Sequence, residues 1–202
     1  MNTELLLSNF RNYINLTAEE EQEILPYISE RKFKRGDYIN AEGEVNRFTN
    51  FIVEGSARVY FIDPQGYEHV VQLGIPNWWV GDFPSFITQT PATMYTEALE
   101  KTTTLSFSYD DLQMLYEKVP KMERFFRLLI QRAYASFHKR TLQALSMDAE
   151  QRYIAFAEAY PQMNQQVSAK HIASYIGISP EFLSTIKKRI LLRQREQRKA
   201  PK

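Results

Sequence analysis

The chain has 202 residues, no cysteine, 44% hydrophobic and 24% charged residues, and a formal net charge of +1. That is ordinary globular usage with room for one large domain and a small appended one, and it excludes a disordered chain. Without cysteine there is no disulfide, thiolate zinc site, cysteine-ligated iron–sulfur cluster or catalytic thiol; with no run of ~20 apolar residues and no leader-like start, the expected location is the cytoplasm and no membrane partner is expected.

Residues 3–33 predict helices, with Thr17 and Glu20 spaced as a capping box and Leu5, Leu6, Phe10, Ile14, Ile24, Leu25 and Ile28 at near-helical intervals. From Gly36 to about Phe107 the chain breaks into short β-rich runs (DYINA, NFIV, SARVYFI, YEHVVQL, MYTEAL, TTLSF) separated by Gly, Pro and Asp, which predicts a sandwich or barrel. The stretch SARVYFIDPQGYEHVVQL predicts a hairpin turning at Asp63, Pro64, Gln65 and Gly66. Trp78 and Trp79 fit either core filling or the lining of a pocket. Asp110 with Asp111, like Glu19 to Glu21, mark helix starts rather than catalytic pairs.

Residues 110–118 predict a helix, and Pro120 is placed to open a long one reaching about Gln143. Its Met122, Phe126, Leu129, Ala133 and Phe137 form an apolar stripe that reads either as a dimer interface or as a cover for the chain's own β domain. Asp148 and Gln151 can cap a further helix ending near Tyr160, where Pro161 stops it, and 161–167 is expected to be a polar connection.

Residues 187–202 hold eight basic side chains and one acid, Glu196, for a net +7, which leaves −6 on the preceding 186 residues. A basic end on an acidic body fits a polyanionic partner. Just before it lies SAKHIASYIGISPEFLSTIKKRI. Ser168 can cap a first helix, Gly177 can make a tight turn, and Ser179 with Pro180 can start a second helix. Ala173 is small where two helices cross, and Ile172, Ile176, Ile178, Leu183 and Ile186 supply the apolar contacts. This is a helix-turn-helix pattern within residues 168 to 190. It sets Ser179, Pro180, Glu181, Ser184, Thr185, Lys187, Lys188 and Arg189 as the candidate face for double-stranded DNA. The competing reading is a helical hairpin that packs on another protein.

The order of parts resembles the Crp/Fnr family. In the β domain the resemblance rests on KRGDYINAEGEVNRFTNFIVEGSARVYFID, with Gly36, Gly43 and Gly55 at turns, and on WVGDFPSF; at the C-terminus it rests on HIASYIGISPEFLSTIKKR. It implies an α+β chain in three parts: a cyclic-nucleotide-binding-like antiparallel β-roll over 1–119, a dimerisation helix and hinge over 120–146, and an all-α helix-turn-helix domain with a basic tail over 147–202. It also implies a non-enzymatic transcription regulator that forms a homodimer, reads a pseudo-palindromic site and has RNA polymerase as a further partner. The effector is expected either to be absent or to be an unknown small molecule held at Gly81, Asp82, Phe83 and Thr93.

The chain departs from the family pattern twice. Cyclic-nucleotide binders carry an arginine for the phosphate about ten residues beyond a Gly-Glu-Leu segment; here Gly81, Asp82 and Phe83 are followed by no arginine through Lys101. Ordinary binding of a cyclic nucleotide is therefore not expected. Many members also continue past the second helix into a β-hairpin wing, whereas this chain runs on as LLRQREQRKAPK, in which Arg193, Arg195, Arg198 and Lys199 could supply phosphate contacts instead. His69, His138 and His171 lie in separate elements, so no multi-histidine metal site and no cofactor are expected. The alternative to a DNA-binding regulator is a β-roll ligand-binding or scaffold protein.

Overall fold

Period-two alternation of apolar side chains recurs through the first half of the chain and gives it a two-sided β-structure. The computed structural model describes residues 2–199, excepting the side chains of Gln194, Gln197, Arg198 and Lys199. Arg198 and Lys199, two of the expected phosphate ligands, are thus outside the described side chains. The chain divides into two units, Met1–Lys139 and Arg140–Lys202.

The first unit opens with α1 (Glu4–Arg11), α2 (Ala18–Ile24) and a 3-10 turn at Leu25–Tyr27. Strands follow as β1 (Ser29–Phe33), β2 (Tyr38–Asn40), β3 (Phe48–Glu54), β4 (Ala57–Ile62), β5 (Glu68–Gly74) and β6 (Trp79–Val80). The short α3 (Phe83–Thr88) precedes β7 (Tyr95–Ala98), β8 (Thr102–Ser108), α4 (Tyr109–Lys118) and α5 (Lys121–Ser146). The strands form two antiparallel four-stranded sheets in the orders β1-β8-β3-β6 and β2-β7-β4-β5, a jelly-roll-like arrangement that makes the chain α+β. The predicted capping box is present, with the Thr17 hydroxyl accepting from the Glu20 N–H and the Glu20 carboxylate accepting from the Thr17 N–H. The predicted hairpin is β4–β5, its turn held by the Asp63 carboxylate accepting from the N–H groups of Gln65 and Tyr67.

Three local expectations are corrected. Residues 29–33 are a strand rather than part of a helix: Ser29, Glu30 and Lys32 are exposed while Arg31 and Phe33 turn inward, a period-two pattern too short to compete with the helical spacing before it. Residues 161–166 form a helix, α7 (Pro161–Gln166), because proline is compatible with a first helical turn and here starts one. Ser168 stands at the N-cap of the next helix, but its side chain makes no capping hydrogen bond.

The outer face of the first sheet and the helices share one aromatic core. Phe10, Trp79, Phe107, Phe125 and Phe126 stack and meet edge-on at centroid distances of 4.7 to 6.3 Å. Trp79 is therefore a core residue, and its indole N–H donates to Asn9 Oδ1 at 3.1 Å, which docks α1 on the sheet. Met122 is fully buried and Phe126 is 7% exposed in this core, with Leu129 packed against it, so the first turns of α5 cover their own β domain. Met122 and Phe126 are accordingly removed from the expected dimer interface: their apolar surface is already spent inside one chain. Ala133 and Phe137, further along, are exposed, Phe137 by 57%.

The second unit contains the end of α5 and four helices: α6 (Ala149–Ala159), α7, α8 (Ala169–Ile176) and α9 (Pro180–Lys199). The Asp148–Gln151 capping box forms as predicted. Among the described residues no helix is long and apolar enough to cross a membrane.

Candidate functional site

In the first unit, Gly81, Asp82, Phe83 and Thr93 converge on the start of α3. Asp82 is fully buried and N-caps α3, with Oδ1 accepting from the Ser85 N–H at 3.0 Å. Its Oδ2 accepts from the backbone N–H groups of Thr93 at 3.0 Å and Met94 at 3.2 Å. One carboxylate thus occupies the amides at a helix start and at the following loop, the groups that would otherwise hold an anionic oxygen. The Asp82 carbonyl in turn accepts from Asn46 Nδ2 at 3.1 Å. Gly81 has φ +146°, and a Cβ there would stand 3.3 Å from Asn46 Nδ2. Phe83 leans on the aromatic core and Thr93 is exposed, so these four residues form a self-satisfied turn rather than an open cradle.

In the second unit, α8 and α9 are joined through Gly177, whose φ of +72° is the left-handed geometry glycine adopts without strain. The Ser179 hydroxyl accepts from the Phe182 N–H at 3.2 Å and starts α9 behind Pro180. Ile172, Ala173, Ile176, Leu183 and Ile186 are buried and set the crossing of the two helices. Arg152 braces the turn from α6: its guanidinium donates to the carbonyls of Ala144, Met147 and Gly177 at 3.3 to 3.5 Å. Arg140, near the end of α5, stacks over the Tyr175 ring of α8 at 4.4 Å.

The packing leaves Ser179, Pro180, Glu181, Ser184, Thr185, Lys188 and Arg189 exposed. Glu181, Ser184, Thr185 and Lys188 follow helical spacing and share one face of α9. The other candidates have local duties. Lys187 is half-buried, 5.4 Å from the Tyr153 ring, and Arg189 bonds Glu150 at 3.2 Å. Arg193 pairs with the same Glu150. Thr185 Oγ1 donates to the Glu181 carbonyl at 3.1 Å, and the Glu181 backbone N–H, with the Ser179 hydroxyl, holds the Glu181 carboxyl below the usual carboxylate range. Lys170, which the sequence reading did not single out, is also exposed, in the first turn of α8 after Ser168. The signal available for it was a lysine two positions after a helix-starting serine.

A β-roll that precedes a helix-turn-helix defines a two-part regulator architecture. Residues 30–119 match the cyclic nucleotide-binding domain family. The chain is 26% identical over 193 residues to an anaerobic regulatory protein of Haemophilus influenzae, covering 83% of this chain and 70% of that protein. Its fold is similar to that of the regulator CLP of Xanthomonas campestris, with a TM-score of 0.70 at 14% identity over 88% of this chain and 93% of that one. FixK2 of Bradyrhizobium japonicum gives a TM-score of 0.72 at 14% identity, covering 83% and 86%. The likeness to these regulators extends over most of the chain, beyond the matched domain at residues 30–119.

Proposed function

We propose that the chain is a cytoplasmic, non-enzymatic transcription regulator that binds duplex DNA as a homodimer through α9. The observation that carries this is the exposed face of Glu181, Ser184, Thr185 and Lys188 on a helix whose opposite side, Leu183 and Ile186, is fully buried. Side chains at the N-terminal end of such a helix reach base edges in the major groove, and flanking lysines and arginines reach phosphate. Lys188 and Lys170 take phosphate, while Glu181 and Ser184 face bases. A twenty-residue α9 is about 30 Å long, so it extends beyond the groove, and Arg195 on its exposed C-terminal part takes the role a wing plays elsewhere. Two-fold pairing through the exposed part of α5 around Ala133 and Phe137 would place half-sites about 34 Å apart.

The β-roll senses a signal other than a cyclic nucleotide. The Asp82 carboxylate already fills the amides a cyclic phosphate would need, and the domain offers no arginine from Gly81 to Lys101. The deciding experiment is selection of bound sequences from a random duplex pool by the full chain, by Ser184→Ala/Thr185→Ala and by a chain ending at Leu192. An inverted repeat enriched by the full chain and lost in the double variant supports base reading by α9. Weaker binding with an unchanged motif in the shortened chain assigns the end of α9 to phosphate. Absence of any enriched motif, with no duplex binding at low salt, overturns the proposal for the unliganded protein and favours protein contact by the C-terminal helices.

A further inference from the structure

The inward faces of the two sheets differ in character from the aromatic core outside them. Directly opposed residues of an antiparallel pair share a face. Arg31 is opposite Thr104, Thr104 is opposite Ile52, and Ser106 is opposite Asn50. Ile52 packs with Ile39, Ala57 and Val80, bringing residues of both sheets together, so this is the face turned toward the roll interior. On the other sheet Val59 is opposite Thr96 and Thr96 is opposite Asn40, with Ala57 two residues from Val59 on the same side. A buried apolar cluster of Ile39, Ile52, Ala57 and Val80 lies between the sheets, and Arg31, Asn50, Thr104, Ser106, Asn40 and Thr96 are polar groups on the same inward faces.

Arg31 is the unusual member. Its Nη1 donates to Asn50 Oδ1 at 3.0 Å, and its guanidinium lies over the rings of Phe48 at 4.4 Å and Phe33 at 5.0 Å. No carboxylate among the described residues lies within ion-pair distance of it. Burial pushes the guanidinium below its ordinary pKa, with no acid to offset the loss of water. Asn50 Oδ1 also accepts from the Ser106 hydroxyl at 2.8 Å, which is itself 3.0 Å from Thr104 Oγ1, so this face fixes the arginine through a network that takes only one of its donor directions. On the facing sheet two buried atoms have no hydrogen-bond partner: Asn40 Oδ1, in a residue 8% exposed, and Thr96 Oγ1, in a residue fully buried. A half-buried cation with one hydrogen bond and no carboxylate, and two buried polar atoms whose lack of a partner is costly, thus lie on the inward faces of the two sheets. A single polar occupant offsets all three.

We propose that the β-roll interior binds a small organic acid through Arg31. The acid group, a carboxylate, phosphate or sulfonate, pairs with the remaining donors of the guanidinium fork. The body of the ligand lies against Phe48 and Phe33, donates to Asn40 Oδ1 and accepts from the Thr96 hydroxyl. The cation comes from β1, well before the turn at Asp82 in the sequence, and the site is separate from the amides that Asp82 occupies. Asn50, which holds Arg31, has its Nδ2 3.8 Å from where a Gly81 Cβ would stand, so occupancy is felt next to α3. The assignment rests on reading the roll as the sensing half of the molecule, and its test makes no use of DNA.

The test is thermal unfolding of the full chain with sodium acetate, benzoate, phosphate or sulfate, each against sodium chloride at equal ionic strength. Sulfate and phosphate stabilise proteins generally, so the diagnostic feature is saturation and dependence on Arg31. At least one anion is expected to raise Tm by about 2–4 °C once it stands roughly fivefold above its Kd, and the carboxylate and oxyanion arms identify the acid group. Arg31→Gln is expected to melt no lower than the parent without anion and to lose the saturable rise. Thr96→Val keeps the shape of the side chain and is expected to weaken the apparent affinity roughly fivefold. No saturable rise with any of the four anions in the parent overturns the proposal, as does a rise undiminished in Arg31→Gln. If Arg31→Gln fails to fold, Thr96→Val decides: an unchanged response overturns the site and a weakened one supports it. A chain that responds to anion but selects no DNA motif sinks the regulator reading alone.

Discussion

Asp82 shows how one side chain can convert a ligand-holding turn into a structural one. Its buried carboxylate satisfies three backbone N–H groups from two segments, so Asp82→Ala leaves those donors without partners. Charged hydrogen bonds of this kind carry about 1.5–3 kcal/mol, and a loss of about 3 kcal/mol of roll stability is expected by urea unfolding. At the far end of the roll, His69 Nε2 lies 2.7 Å from Asp63 Oδ2, and this contact, with the Tyr67 and Gln65 N–H groups, holds the Asp63 carboxyl below its usual range. A carboxyl lowered in the folded state stabilises it above the ordinary carboxylate pKa and ceases to do so as pH falls through the lowered value. In an NMR titration His69→Ala should move the Asp63 midpoint upward and narrow that acidic window.

The helix-turn-helix depends on its connection. Gly177 lies in open space, so adding a methyl group meets no atom and the cost is conformational alone; Gly177→Ala is expected to lose about 1–2 kcal/mol from the strained left-handed backbone. Unfolding of the second unit, followed by far-ultraviolet circular dichroism, measures it, and a loss well outside that range would place an unseen contact at the turn. The brace from Arg152 to the carbonyls of Ala144, Met147 and Gly177 ties the last turn of α5 to the helix-turn-helix, so these residues behave as parts of the second unit. Glu150 restrains the basic face in a similar way. Its pairs with Arg189 and Arg193 are solvent-exposed and contribute little to stability, so they are readily exchanged for phosphate. Glu150→Gln is expected to steepen the salt dependence of duplex binding by about one to two phosphates' worth without altering the selected motif.

For the whole molecule, the two halves of the α5 stripe give opposite outcomes. Phe126 is buried among Trp79, Phe107, Phe125 and Tyr116, so Phe126→Ala is expected to cost about 3–5 kcal/mol of roll stability. Phe137 is exposed, and if the proposed pairing through this part of α5 holds, Phe137→Glu is expected to leave each chain folded and to give a monomer where the parent sediments as a dimer at micromolar concentration. Loss of folding in Phe137→Glu would assign that side chain to its own chain as well.

Local chemistry was legible at most positions, though not at residues 29–33, 161–166 or the Ser168 cap: the capping boxes at Thr17 and Asp148, the Asp63 turn, the glycine at 177 and the buried side of α9 each depend on residues within a few positions of one another. The order of parts was legible for the same reason, since hydrophobic period and turn residues set element type before packing. Tertiary structure alone decided what spans long separations. Glu150 reaches Arg193 across 43 positions, Asp82 reaches Met94 across 12, and Phe126 meets Trp79 from another element, so the same stripe or charge reads differently once a partner is known. Arg31 is the clearest case. A run of Glu, Arg and Lys gives no sign of which side chain turns inward, because in a strand that depends on register, and register is set by the pairing of β1 with β8.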